Sequence, residues 1–109
     1  MDDFDFVDFL YRKMMWSRKT FGPHQRTKGL SDHIRKELVE IEKNPADLEE
    51  WVDIILLAID GAWRSGASPE DIVAMLVTKA HRNELRKWPD WRDLTENDPI
   101  EHIRDATRS

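Results

Sequence analysis

The sequence predicts an all-α fold: a four-helix bundle with a short C-terminal helix. Three observations carry that prediction. Apolar residues recur at three- and four-residue spacing, Pro, Gly and Ser-Pro punctuation divides the chain at intervals suited to helices, and no segment alternates as a strand does. The first helix is expected from about Asp3 to Trp16, with Phe6, Phe9, Leu10 and Met14 on one side. Residues 17–29, SRKTFGPHQRTKG, contain Gly-Pro and read as an ordered, basic loop. The second helix is expected from about Ser31 to Lys43, with Ile34, Leu38 and Ile41 on one face. Asn44-Pro45 breaks it, and Pro45-Ala46-Asp47 starts a third helix that reaches about Arg64 and stops at Ser65-Gly66. Ser68-Pro69-Glu70-Asp71 then combines a serine N-cap, proline at the first helical position and acid in the first turn. The fourth helix runs to about Lys87, Trp88 to Trp91 form a turn, and Asp98-Pro99 opens a fifth helix through about Asp105.

Composition narrows the function. The 109 residues read as a single domain spanning 1–109. A formal charge of −5, from 17 basic and 22 acidic residues, argues against a nucleic-acid binder, which needs a basic excess on one face. It does not argue against a phosphate-bearing small molecule, because a metal ion reconciles an acidic site with an anion. With no cysteine, disulfides and cysteine-rich zinc sites are excluded. The acidic start MDDFDFVDFL is unlike a signal peptide, and the apolar run Ile54–Ile59 is far short of the ~20 residues that span a bilayer. A cytoplasmic protein with no membrane partner is the expectation. Of the five tryptophans, most are expected in the core of so small a domain.

The third helix is the most informative segment. Between Trp51 and Trp63 nearly every residue is apolar except Asp53 and Asp60, and with Glu50 these form one narrow stripe at ~100° per residue. Glu37 and Glu40 lie on the flank of the second helix's apolar face. Glu40 precedes Pro45 by five residues and Glu50 follows it by five; Glu37 and Asp53 are each eight away. An antiparallel hairpin about that proline places Glu40 level with Glu50 and Glu37 level with Asp53. Four facing carboxylates repel unless a hard cation joins them, and oxygen-only ligation suits Mg²⁺, with Mn²⁺ as a substitute. No Glu-x-x-His pattern accompanies them, so a di-iron bundle is not indicated. The competing role is a solvated acidic face.

The fourth helix carries a second constellation. Ile72, Leu76, Lys79, Asn83 and Arg86 share one face, so a core stripe turns polar midway. Lys79 and Arg86 are candidates for holding phosphate, against the simpler role of cations favoured by a helix C-terminus.

These residues resemble the MazG-like, all-α NTP pyrophosphohydrolases, whose signature is Glu-x-x-Glu on one helix and Glu-x-x-Asp on the next. Here they read Glu37-Leu-Val-Glu40 and Glu50-Trp-Val-Asp53, and the family's basic and amide residues look matched by Lys79, Asn83 and Arg86. More narrowly the chain resembles the phage and bacterial dATP/dGTP diphosphohydrolase branch, through segments 16–23, 32–42, 47–64, 87–92 and 100–104. Lys36 stands where the wider family usually carries another glutamate.

The resemblance implies Mg²⁺-dependent hydrolysis of a purine deoxynucleoside triphosphate, dGTP or dATP, to monophosphate and pyrophosphate. Glu37, Glu40, Glu50 and Asp53 would hold metal, with Glu37 or Glu40 orienting and deprotonating the attacking water. Lys79, Asn83 and Arg86 would bind phosphate. Trp16 or Phe21 would stack on the base, with Ser17, Thr20 or His33 reading its edge and Asp60 reaching the sugar or supporting the metal; core packing competes for each aromatic. A homodimer or homotetramer in the cytoplasm, the host's if phage-encoded, is implied. Rival readings are a hydrolase of dUTP, dCTP or a damaged nucleotide, and a non-enzymatic helical interaction protein. An HD-type phosphohydrolase fails because Asp32-His33 has the wrong order.

Overall fold

A computed structural model describes residues 3–104 and contains α1 (Phe6–Phe21), α2 (Thr27–Lys43), α3 (Leu48–Arg64) and α4 (Pro69–Leu85). Side-chain caps start α1, α3 and α4, and glycines end α1 and α3. No strand occurs among the described residues. Asp5 caps α1, accepting from the Asp8 amide at 3.1 Å. The helix continues five residues beyond the expected end, because nothing in Ser17–Phe21 opposes it. It stops at Gly22, whose φ of 90° is open to glycine and whose N–H bonds the Arg18 carbonyl at 2.9 Å. The expected loop therefore shrinks to residues 22–26, and α2 begins at Thr27 rather than Ser31.

Asp47 caps α3 by accepting from the Glu49 amide at 3.0 Å, so Pro45 lies in the turn rather than inside the helix. Gly66, at φ 111°, ends the α3 turn. Ser68 and Asp71 form a reciprocal capping pair at the start of α4: each backbone N–H donates to the other's side chain, at 3.0 and 3.1 Å.

The chain forms two compact units, residues 1–74 and 75–109. In the first, α2 and α3 make a hairpin across residues 44–47, and α1 packs on α3. The core joins Leu10, Trp63 and Ile72, with Phe9, Met14, Ile59, Ala62, Ala67 and Val73 around them. Tyr11 donates its hydroxyl to Glu70 at 2.6 Å, tying α1 to the start of α4.

Two expectations change. Only Trp63 among the five tryptophans is buried; Trp16, Trp51, Trp88 and Trp91 are exposed. Two of them cover helix ends, with the Trp51 indole donating to the Pro45 carbonyl at 2.9 Å and that of Trp88 to the Asn83 carbonyl at 2.6 Å. The fifth helix is absent over residues 99–104, and Asp105 lies outside the described residues. The Ile103 amide bonds the Lys87 carbonyl at 2.7 Å, a long-range partner in place of a helical one. A 3₁₀ turn at Trp91–Asp93 is the short helical element there. No helix among the described residues is long and apolar enough to cross a membrane.

Candidate active site

The polar stripes of α2 and α3 meet inside the hairpin. On α2, Leu30, Ile34, Glu37 and Ile41 are sheltered at a four-three-four spacing that puts Glu37 on the packed face itself, with Ser31 partly covered beside them. Glu50 and Asp53, one turn apart, come from α3. Carboxylate oxygens of Glu37, Glu50 and Asp53 lie within 4.8 Å of one another. Glu40 stands outside this trio, exposed and 3.9 Å from Lys43. Equal height about Pro45 did not decide the pairing; azimuth did, because three residues of helix turn Glu40 away from the seam by about 60°.

Crowding leaves its mark on Glu50. A hydrogen bond with Glu37, partial burial, and the charges of Glu37, Asp47 and Asp53 push its pKa from 4.5 up to about 7. Three clustered carboxylates thus retain a proton that an isolated acid would lose. The trio is an oxygen-only donor set with charge to spare, which suits a hard divalent cation.

An aromatic cleft of about 350 Å³ lies in the same unit, lined by α1, α2 and α3. Of the residues expected to meet base and sugar, Trp16, Ser17, Phe21, His33 and Asp60 line it; Thr20 does not and is exposed. Trp16 and Phe21 stand edge to face with centroids 5.5 Å apart. His33 also reaches the carboxylates, its Nε2 3.4 Å from Glu37 Oε1.

Asp60 and Ser17 hold the cleft's shape. Asp60 accepts hydrogen bonds from Ser17 Oγ, from Trp63 Nε1 at 2.8 Å and from Arg64 Nε at 2.8 Å. Burial raises the Asp60 pKa, but those bonds and the Arg64 charge outweigh it and hold the carboxyl below its usual range. Arg64 also donates to the Gly22 and His24 carbonyls at 2.8 and 2.6 Å and to Ser17 Oγ at 3.1 Å. One buried guanidinium thereby fastens the α1–α2 loop to the end of α3. Arg64 was missed in the sequence, although an Asp60/Arg64 pair four apart in an apolar helix signals it. Lys13 and Arg26, also lining the cleft, had no comparable signal.

In the second unit, Lys79 is exposed while Asn83 and Arg86 are half-buried, and Arg86 donates to Asn83 Oδ1 at 3.1 Å.

A carboxylate trio beside an aromatic cleft, on an all-helical frame, puts the chain in the class of MazG-like nucleoside triphosphate pyrophosphohydrolases. Within that class it belongs to the dATP/dGTP pyrophosphohydrolase family, whose model matches residues 9–107. Comparison with curated proteins and with solved structures gives no match.

Proposed function

We propose that the protein hydrolyses purine deoxynucleoside triphosphates, dGTP and dATP, to monophosphate and pyrophosphate, with Mg²⁺ as its cation and Mn²⁺ as a substitute. The observation that carries this reading is His33, which lines the aromatic cleft and contacts Glu37 of the carboxylate trio. A base in the cleft therefore leaves its phosphates within reach of the acids.

Glu37, Glu50 and Asp53 would hold the cation, with Glu40 completing the set from the next turn of α2. When bound, Mg²⁺ supplies Lewis-acid stabilisation of charge on the phosphate oxygens. Glu37 or Glu40 orients a water and takes its proton as the oxygen attacks the α-phosphorus. The bond from that phosphorus to the α–β bridging oxygen breaks, and pyrophosphate leaves. Lys79, Asn83 and Arg86 bind phosphate oxygens through charge-assisted or amide hydrogen bonds. Trp16 and Phe21 offer ring faces and edges for stacking, and His33 meets the base edge. Ser17 and Asp60 act by fixing the cleft, since their polar atoms are already bonded to each other and to Arg64.

Exposed Trp51, Val52 and Ile55 on α3 support a homodimer or homotetramer that covers this face. The acidic net charge supports a small-molecule substrate rather than nucleic acid, and a cytoplasmic location, the host's if phage-encoded, suits a nucleotide-pool enzyme. A panel of dNTPs and NTPs incubated with protein and Mg²⁺, with products separated chromatographically, tests the reading. Pyrophosphate is expected from dGTP and dATP, and EDTA is expected to abolish its release. Turnover of dUTP or dCTP alone would transfer the assignment to another nucleotide.

A further inference from the structure

The polar side chains lining the aromatic cleft divide into those already bonded and those that are not. Ser17 Oγ and Trp63 Nε1 donate to one oxygen of Asp60, and Arg64 Nε donates to the other. Ser17 Oγ in turn accepts from Arg64 at 3.1 Å. His33 faces Glu37. Two cations remain. Among the described residues, the Lys13 and Arg26 side chains meet rings rather than acceptors. Lys13 Nζ lies 5.7 Å from the centroids of both Phe9 and Trp16, and the Arg26 guanidinium carbon lies 5.4 Å from that of Phe21. Both groups only donate, so what the cleft has to spare beside its rings is donor capacity.

Arg26 is the better placed of the two to read a ligand. Its backbone is fixed on both sides: Arg64 holds the Gly22 and His24 carbonyls ahead of it, and its own carbonyl accepts from the Leu30 amide at 2.9 Å as α2 begins. A Cβ added at Gly29, another residue of the cleft, would stand 3.9 Å from Arg26 Nη2, so the guanidinium lies along the cleft wall. Its planar fork offers paired donors, where the Lys13 ammonium is a point charge. Purines differ on the edge that such a fork reads. Guanine presents two acceptors there, O6 and N7, whereas adenine presents the N7 acceptor beside the N6 amino donor.

We propose that Arg26 is a specificity-determining residue, bonding O6 and N7 of guanine in the cleft and setting a preference for dGTP over dATP. The proposal rests on the reading that places the base among these rings. With adenine, one arm of the fork faces an amino group and loses its partner. A phosphate could also accept from the fork, but it is common to both nucleotides and would give Arg26 no part in choosing between them.

The test measures kcat/KM with Mg²⁺ for dGTP, dATP and 7-deaza-dGTP, in which a C–H replaces N7, using the wild type and Arg26→Met. The wild type is expected to favour dGTP about tenfold over each of the others, and Arg26→Met to bring both ratios close to one. Should Arg26→Met lose helical circular dichroism, the wild-type ratio of dGTP to 7-deaza-dGTP decides alone, and equal turnover overturns the contact. Ratios that are the same in both proteins, including an equal fall for all three nucleotides, overturn the role of Arg26 and leave purine triphosphate hydrolysis standing. No pyrophosphate from any of the three with the wild type overturns both.

Discussion

Replacing Arg64 with methionine isolates what the loop anchor contributes. The Arg64 side chain is 2% exposed and that of Asp60 14%, so the pair is largely removed from water. Methionine fills much of the same volume and keeps contact with Trp63, over which the guanidinium sits at 4.4 Å. It leaves Asp60 with Ser17 and Trp63 as donors, and it leaves the Gly22 and His24 carbonyls without theirs. Removing one partner of a buried pair costs about 3–5 kcal/mol. Rehydration of the two loop carbonyls holds the total near the lower end, about 3–4 kcal/mol. For a domain whose whole stability is about 5–15 kcal/mol that is a large fraction. Urea unfolding followed by circular dichroism should show it as a lowered midpoint with an unchanged slope. Arg64→Lys should recover only part, since one ammonium cannot bond Asp60 and both carbonyls together. A loss below about 1 kcal/mol for Arg64→Met would refute the anchoring role, because that is the range of an ordinary surface ion pair.

Other consequences follow from the same geometry. Because the Glu50 carboxyl titrates near 7 in the folded chain against 4.5 unperturbed, the folded state binds its proton more tightly than the unfolded one. Without metal, that stabilisation is fully present below pH about 4.5 and is lost as pH rises through about 7. A divalent cation competes with the proton, so affinity should rise about tenfold per pH unit below about 7 and flatten above; calorimetry in two buffers reads the protons released, and pH-independent affinity would contradict the coupling. Trp16→Ala should raise KM for dGTP about tenfold or more with kcat little changed, since base–aromatic stacking contributes about 1–3 kcal/mol; an unchanged KM would remove Trp16 from the base site. Ser68→Ala should lower stability by about 1 kcal/mol through loss of the α4 cap, visible as a lowered Tm.

The sequence carries the four main helices, the hairpin and the polar stripes, because each depends on spacing within one element or across one short turn. Glu37, Glu50 and Asp53 were found on that basis. Their grouping without Glu40 was not legible, since it depends on the azimuth of α2 against α3, fixed by Leu30 and Ile41. The run Ser17–Phe21 reads as loop from composition, yet continues α1, because Gly22 and not Ser17 ends the helix. Trp88 and His102 are fourteen residues apart with no shared period, so their contact was invisible to pattern. Asp60 was read as part of the polar stripe of α3, but its bonds to Ser17, Trp63 and Arg64 were not read, because that stripe says nothing of which donors the fold brings to it.

The proposed metal site is tested most directly by comparing Asp53→Asn with the wild type at saturating dGTP and Mg²⁺, both shown to be helical, by the rate of pyrophosphate release. Asp53 is exposed within the trio, so the amide should leave the fold intact. Loss of several kcal/mol of charge stabilisation corresponds to a fall on the order of 10²-fold or more. Release at the wild-type rate by Asp53→Asn would contradict the assignment of Glu37, Glu50 and Asp53 as the centre of the chemistry.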